Sequence, residues 1–347
     1  MKYAFLVDNY RDLIFYEDVI KKDFIPVNIF WDNQTKEKEL KNEINIYVPN
    51  IALQLSRDKN FLGFKYDLDH DFILEFYYKM YNNNFYKFGI DLMARINYLY
   101  PYFNDLIKEN DIVISTNSGC WFSRLLCEIC KNKNATFYFF ENFFFRNNFQ
   151  ISKIPFTNSK YGFPELNRLF YESEYNNDDI DFYYKYIKNR ISKYEQEDYD
   201  IEKDYDIFIV GQIPDDTNVI LLDKPYKNSE ELCYQIAKLN PHLNIIYKLH
   251  PLLKERGFFI DNKVLELENV FVTTKASIHN IFNKVKEVYT ISSTVGIEAQ
   301  LFDKKVKWFS DTTYKDFNLE KKENTYKFIN ACRKYMFELE DLWTKIK

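Results

Sequence analysis

Two segments in the second half of the chain place polar side chains where an apolar run ends. In Ile291-Ser292-Ser293-Thr294-Val295-Gly296-Ile297-Glu298-Ala299, three consecutive hydroxyls lead into a helical pattern. Free N–H groups and the dipole at a helix start favour an anion, and the hydroxyls add donors. Glu298 falls early in that helix, where a carboxylate can accept from ribose hydroxyls. Plain N-capping by Ser or Thr is the competing account. The second segment is Tyr247-Lys248-Leu249-His250-Pro251. Lys248 and His250 alternate with Leu249 along a strand and so point to one face. A cation and an imidazole there suit a phosphate or a leaving group. A hydrogen-bonded structural histidine is the alternative.

Two further segments offer carboxylates. The apolar run Ile207-Phe208-Ile209-Val210 breaks at Gly211-Gln212 and continues through Ile213-Pro214 to Asp215-Asp216. Adjacent carboxylates raise one another's pKa and can act as nucleophile or base. An acidic surface turn has the same composition. Glu141 ends the aromatic run Phe139-Phe140 and precedes Asn142-Phe143-Phe144-Phe145-Arg146. A carboxyl group in an apolar wall keeps its proton to higher pH, as a general acid requires. A glutamate reaching water from a strand edge is the alternative. Asp67-Leu68-Asp69-His70-Asp71 has acid spacing suited to a metal but lies in a polar linker rather than on a rigid element, so no metal site is expected. Cys127 and Cys130 form a single C-x-x-C inside a helical pattern and are expected to be buried bystanders.

The elements that must position these residues follow from periodicity. Short apolar or aromatic runs at 3–7, 26–31, 44–48, 111–115, 135–140, 206–211, 243–248, 269–273, 287–291 and 305–309 predict strands. Helical patterns fall at 72–99, 119–132, 165–193, 229–239, 277–284, 295–302 and 324–346. Alternating strands and helices indicate an α/β protein with parallel sheets covered on both faces. The length of 347 residues suits two domains. The polar, Tyr-rich stretch 175–206 separates two such groups, which puts the boundary near residue 200. A short internal echo supports two similar halves: Asp111 to Gly119 and Val288 to Gly296 both run from an apolar strand through hydroxyl residues to a glycine. Ligands bind at such turns, beyond the carboxyl ends of the strands.

Composition excludes several classes. Of 347 residues only 7 are glycine, and no two lie closer than Gly63 and Gly89. Neither the Walker loop nor the dinucleotide fingerprint can be written with that spacing. The net charge of −5, with no basic stripe, argues against a nucleic-acid partner. The apolar run at the N-terminus is too short for a signal peptide, and no uninterrupted run is long enough to span a membrane, so a cytoplasmic protein is expected. The 33 Phe and 29 Tyr supply ample core material.

In chain order these segments resemble the bacterial capsule polysaccharide synthesis family that includes the retaining Kdo transferases. That family shows a G-Q-x-x-x-D turn, a K-x-H-P strand end and an S-S-T-x-G-x-E-A turn. Here they read Gly211-Gln212 with Asp216, Lys248 with His250-Pro251, and Ser292 to Ala299. The family's E-D-G-F-L-R resembles Glu141 to Arg146, with Phe143 in place of the family's glycine. Ser152 stands where an aspartate is often found. The resemblance covers about residues 135–310.

The resemblance implies a GT-B architecture, two Rossmann-like domains facing a cleft. The expected division is 1–200 for the acceptor domain with its linker, 201–323 for the donor domain, and a C-terminal helix over 324–347 packing back on the first. It implies a donor substrate, CMP-Kdo or another CMP-sugar, and no cofactor. Gln212, Lys248, His250, Ser292, Ser293 and Thr294 would bind the donor, with Glu298 at the ribose. Asp216 would be the nucleophile, with Asp215 its neighbouring alternative, and Glu141 the acid and then base. Two displacements retain the anomeric configuration. The implied acceptor is a glycan or lipid-linked glycan made at the inner face of the inner membrane, with peripheral membrane association. Competing readings are an inverting CMP-sialic acid transferase, a UDP-sugar epimerase or transferase, and an inactive glycan-binding or scaffold protein.

Overall fold

The computed structural model describes residues 1–7, 25–31, 44–48, 66–69, 73, 85–116, 120–142, 149–153, 164–174, 177–184, 201–214, 216–220, 222–254, 257–334 and 336–337. The chain divides into two compact units. One comprises Met1–Glu141, Phe149–Thr157 and Phe337–Lys347, the other Asn142–Asn148 and Asn158–Met336.

The first unit holds β1 (Lys2–Val7), β2 (Ile25–Trp31), β3 (Ile44–Val48), β4 (Ile112–Thr116), β5 (Thr136–Asn142) and β6 (Phe149–Ser152). Parallel pairing of β3, β2, β1, β4 and β5 in that spatial order gives the Rossmann arrangement, and β6 extends the sheet past β5. A helix over Phe85–Leu106 runs through Pro101 and beyond the expected end at 99. Leu99, Phe103 and Ile107 are fully buried, and that packing outweighs the hydrogen bond a proline removes. The helix Trp121–Asn132 follows β4, and Ser115 Oγ on the strand bonds Ser123 Oγ on the helix at 2.8 Å. Residues 117–119, including the Gly119 of the internal echo, lie outside the described residues.

In the second unit, β7 (Tyr205–Val210), β8 (Ile245–Lys248), β9 (Val270–Thr273), β10 (Val285–Thr290) and β11 (Lys305–Trp308) pair in parallel. Their spatial order β11-β10-β7-β8-β9 is the same Rossmann order. Strand alternation sets the two layers of core. Phe208, Val210 and Ile246 face Ile278, Ile281, Phe282 and Ala299 of the helices Ile278–Phe282 and Val295–Leu301. Ile207, Ile209, Ile245 and Tyr247 face Leu232, Cys233, Ile236 and Ala237 of the helix Ser229–Leu239. The fold is therefore α/β with two Rossmann-like sheets, each crossing over on itself.

The expected domain limits require correction. Helices Pro164–Glu172 and Asn177–Phe182, placed before a boundary at 200, belong to the second unit. The cause is aromatic packing: Phe170 meets Phe317 at 5.1 Å, Phe317 meets Phe328 at 4.8 Å, and Tyr183 meets Tyr326 at 5.9 Å. Tyr183 also donates to the Leu301 carbonyl. The single helix expected over 165–193 is interrupted at Ser173, whose hydroxyl bonds back to the Leu169 carbonyl. The helix expected over 324–346 ends at Arg333 and gives way to a short strand, β12 (Met336–Phe337), which joins the first sheet beside β6. The chain returns to the first sheet as a strand, and the helix before it packs within the second unit.

Left-handed backbone at non-glycine positions is confined, among the described residues, to Asn110, Asn134, Asp303 and Asn318. Asn110 and Asn134 lead into β4 and β5, and the Asn110 N–H donates to the Asn134 carbonyl at 3.3 Å.

Phe317, fully buried between Phe170 and Phe328, ties the helical layer to the second unit. Phe317→Ala is expected to cost about 3–5 kcal/mol, read as a lower midpoint in urea denaturation. A loss under about 1 kcal/mol would show that these helices are not integral to the unit.

Candidate functional site

The second sheet switches winding direction between β7 and β10, and the chain leaves both strands at their carboxyl ends over one pocket. Its lining includes Gly211, Gln212, Asp216, Lys248, His250, Ser292, Ser293, Thr294 and Glu298. The described residues expected from the sequence to bind the donor thus lie in a single crevice, where α/β sheets bind ligands. Glu141 lies in the first unit at the end of β5, where its Oε2 accepts from Gln150 Nε2 at 3.3 Å. Ser152 is buried at the end of β6. Asp215 and Phe143 lie outside the described residues.

The β7 exit depends on a close approach. The Gly211 N–H donates to the Lys248 carbonyl at 2.8 Å, carrying the β7–β8 ladder one bond past Val210. A Cβ on Gly211 would lie 2.4 Å from that carbonyl oxygen and 3.0 Å from the His250 nitrogen. Only glycine fits.

Lys248 ends β8 with its side chain on the Ile246 face, and only 4% of the residue is exposed. Its Nζ donates to the Thr274 carbonyl at 3.0 Å, and no carboxylate among the described residues lies within ion-pair reach. Burial lowers its pKa from 10.5 to about 8. His250 follows Leu249 on the same wall. Its Nδ1 accepts from the Leu252 N–H at 3.1 Å, which fixes the neutral imidazole with its proton on Nε2. The wall therefore offers an ammonium and an N–H donor.

The hydroxyl turn after β10 divides its work. The Ser292 hydroxyl, on a residue 1% exposed, donates to the Asn218 carbonyl and accepts from Gln212 Nε2 at 3.1 Å. Gln212 Oε1 accepts from the Ser292 N–H at 3.0 Å and from Thr290 Oγ1 at 3.2 Å. Thr290 Oγ1 accepts the Ser293 N–H, and Ser293 Oγ accepts the Val295 N–H at 3.2 Å. Ser293 thus satisfies the first N–H of the helix Val295–Leu301 and Thr290 holds the turn before it, whereas the Thr294 hydroxyl makes no cap bond. Gly296 in that helix packs on an indole: a Cβ there would meet the Trp308 ring at 2.4 Å.

The carboxylates are also held. Asp216 Oδ1 accepts the Asn218 N–H at 2.8 Å at the start of the short helix Thr217–Ile220. Glu298 lies 3.6 Å from His279 Nε2, and the His279 ring stacks on Phe302 at 4.8 Å. His279, Thr290, Asn218 and Thr274 are site residues that sequence reasoning missed. The contacts that bring them into the site, to Glu298, Gln212, Ser292 and Lys248, come from distant parts of the chain, and no local motif marks them. Burial pushes the Cys127 thiol up to about 12 and that of Cys130 higher still, consistent with packing rather than reactivity. Among the described residues no cluster of three acidic, His or Cys side chains is placed to hold a metal. No helix of the described residues is long and apolar enough to cross a membrane.

Two sheets, each with five strands paired in parallel in Rossmann order, and a cation-bearing pocket at the switch point of the second, define a two-unit α/β protein of Rossmann type. The sequence profile of the family described as capsule polysaccharide biosynthesis protein matches residues 159–341, and the chain belongs to that family. Lipopolysaccharide-processing protein LpsZ of Rhizobium meliloti is 26% identical over 115 residues, which are 33% of this chain and 26% of LpsZ. The match thus spans about a quarter of that relative. Among solved structures, the Thermosulfurimonas dismutans KpsC β-Kdo 2,7 transferase aligns with a TM-score of 0.48 and 16% identity, over 70% of this chain and 87% of that one. The β-Kdo 2,4 transferase of the same KpsC gives 0.47 and 15%, over 64% and 79%. UDP-GlcNAc 2-epimerase of Methanocaldococcus jannaschii gives 0.31 and 13%, over 89% and 92%.

The two glycines make distinguishable predictions. Gly296→Ala is expected to destabilise the protein by about 1–3 kcal/mol through overpacking, and Trp308→Leu in the same chain should recover most of it. Gly211→Ala meets backbone, so no single side-chain truncation should rescue it. Thermal melts of the single and double variants provide the check.

Proposed function

We propose that this chain is a glycosyltransferase of capsule or lipopolysaccharide synthesis that moves an acidic sugar, Kdo from CMP-Kdo, onto a glycan or lipid-linked glycan with retention. The observation that carries the reading is Lys248: a buried ammonium on the pocket wall that no carboxylate among the described residues approaches within ion-pair reach. Such a charge is costly until an anion arrives. The single phosphate of a CMP-sugar supplies one, with His250 Nε2–H, Ser293 and Thr294 as further donors. Charge of this kind, fixed before the reaction, stabilises the departing phosphate.

In this reading the Asp216 carboxylate attacks the anomeric carbon and the bond to the CMP oxygen breaks. The acceptor hydroxyl then attacks the same carbon, Glu141 takes its proton, and the bond to Asp216 breaks. Two inversions give retention. Glu298 accepts from the ribose hydroxyls. Membrane association would come through the lipid-linked acceptor.

Expected results follow from the charge on Lys248. CMP should raise the melting temperature of the wild-type protein, as should the CMP-sugar donor, and UDP should do so less. NMR of the product should show a retained anomeric configuration; inversion would sink the Asp216 mechanism. Lys248→Met should weaken CMP binding at least tenfold while making the ligand-free protein more stable, by on the order of 1 kcal/mol at pH 7. The sign is set by linkage. With its pKa lowered to about 8, Lys248 disfavours the folded state at full strength below pH 8, and that penalty fades as pH rises from 8 towards 10.5. For the same reason CMP affinity should fall as pH rises above about 8, and the fall should be missing in Lys248→Met.

A further inference from the structure

The hydrogen bonds around Ser292 point to a role other than ligand contact. We infer that Ser292 and Gln212 are positioning residues that fix the turn carrying Asp216, and that neither contacts the nucleotide. The inference rests on the proposed reading of the pocket for the meaning of Asp216, but its geometry stands apart from that reading.

Donor accounting leads there. A phosphate oxygen needs a donated hydrogen, and a serine hydroxyl has one to give. That of Ser292 goes to the Asn218 carbonyl, on a residue 1% exposed, and its backbone N–H goes to Gln212 Oε1 at 3.0 Å. Gln212 is engaged at both ends of its carboxamide, its oxygen fully and its Nε2 through one of two hydrogens. Its oxygen accepts twice, from Thr290 Oγ1 and from the Ser292 N–H, and its Nε2 donates to Ser292 Oγ. The Gln212 backbone N–H goes to Ser229 Oγ at 3.0 Å, and Ser229 in turn bonds Tyr247 Oη at 3.2 Å.

The bonds form one path. It starts at Thr290 on β10, passes through the Gln212 carboxamide beyond β7, and reaches the Ser292 hydroxyl. From there it crosses to the Asn218 carbonyl, and the Asn218 N–H closes on Asp216 Oδ1 at 2.8 Å. The helix Thr217–Ile220 has only four residues and needs an external tie to hold its orientation. Ser292 supplies that tie from across the switch point. The hydroxyl run is thereby split: Ser292 braces the turn, while Ser293 and Thr294 stay with Lys248 and His250 as ligand donors.

The test uses the full chain, CMP as the probe, and two readouts. Backbone hydrogen exchange at residues 218–220 is expected to be at least tenfold faster in Ser292→Ala, with CMP affinity within twofold of wild type. Gln212→Glu, which replaces the Nε2 donor with an acceptor and nearly keeps the shape, should give the same pattern if the alanine variant folds poorly. Thr294→Ala should show the reverse, with unchanged exchange and weaker CMP binding. Wild-type exchange rates at 218–220 in both variants overturn the inference. A tenfold loss of CMP affinity in Ser292→Ala overturns it whatever the exchange shows. If wild-type protein does not bind CMP, the proposed function fails, and the exchange rates alone decide whether the brace exists.

Discussion

The second unit is organised around the contact between Gly211 and the Lys248 carbonyl. Two adjacent parallel strands ordinarily diverge into separate loops. Here the Gly211 N–H holds the β7 exit to the last residue of β8 at 2.8 Å, and the missing Cβ makes that approach possible. Gln212 is thereby aimed across the switch point at β10, and Lys248 is enclosed rather than left at a rim. The pocket's cation and its bracing amide both depend on one backbone hydrogen bond.

Enclosure gives Lys248 its chemical character. An exposed lysine keeps its water and binds anions weakly. A buried one that donates to a carbonyl and, among the described residues, meets no carboxylate within ion-pair reach has lost most of that water and gained little in return. The surrounding groups are tied down: the imidazole of His250 by a backbone N–H, Gln212 and Ser292 by one another, and Glu298 beside His279. A pocket whose walls are already ordered loses little further freedom when it closes on a ligand. The family to which the chain belongs is that of capsule polysaccharide biosynthesis proteins.

Much of this was legible in the sequence because it is local. Each strand named from an apolar run is present, and Lys248-Leu249-His250-Pro251 carries its own placement: alternation aims the side chains and the strand stops. What was not legible depends on distant partners. Gln212 reads as a ligand-facing amide until Thr290 and Ser292, 78 and 80 positions away, are seen to occupy it. The helices at 164–182 and 322–333 show apolar faces, but periodicity does not say which sheet those faces meet. Phe317 decides that through Phe170 and Phe328. Pro101 misled in the other direction, since burial around Phe103 carried the helix past a local stop signal.

Glycine normally serves a chain in two ways, by leaving out a side chain and by tolerating left-handed backbone. This protein separates the two. Gly211 and Gly296 have ordinary backbone angles and are used for the space a side chain would fill, against a carbonyl and against an indole. The left-handed positions fall to Asn110, Asn134, Asp303 and Asn318, residues whose short polar side chains tolerate that conformation. Gly257 alone among the described glycines has a positive φ, and a Cβ there would meet nothing within 4 Å. Handedness is thus carried by side chains that can be exchanged for glycine or for one another. Among the described glycines close approach rests on two positions, one at each side of the switch point: Gly211 against backbone that cannot be trimmed, and Gly296 against an indole that can.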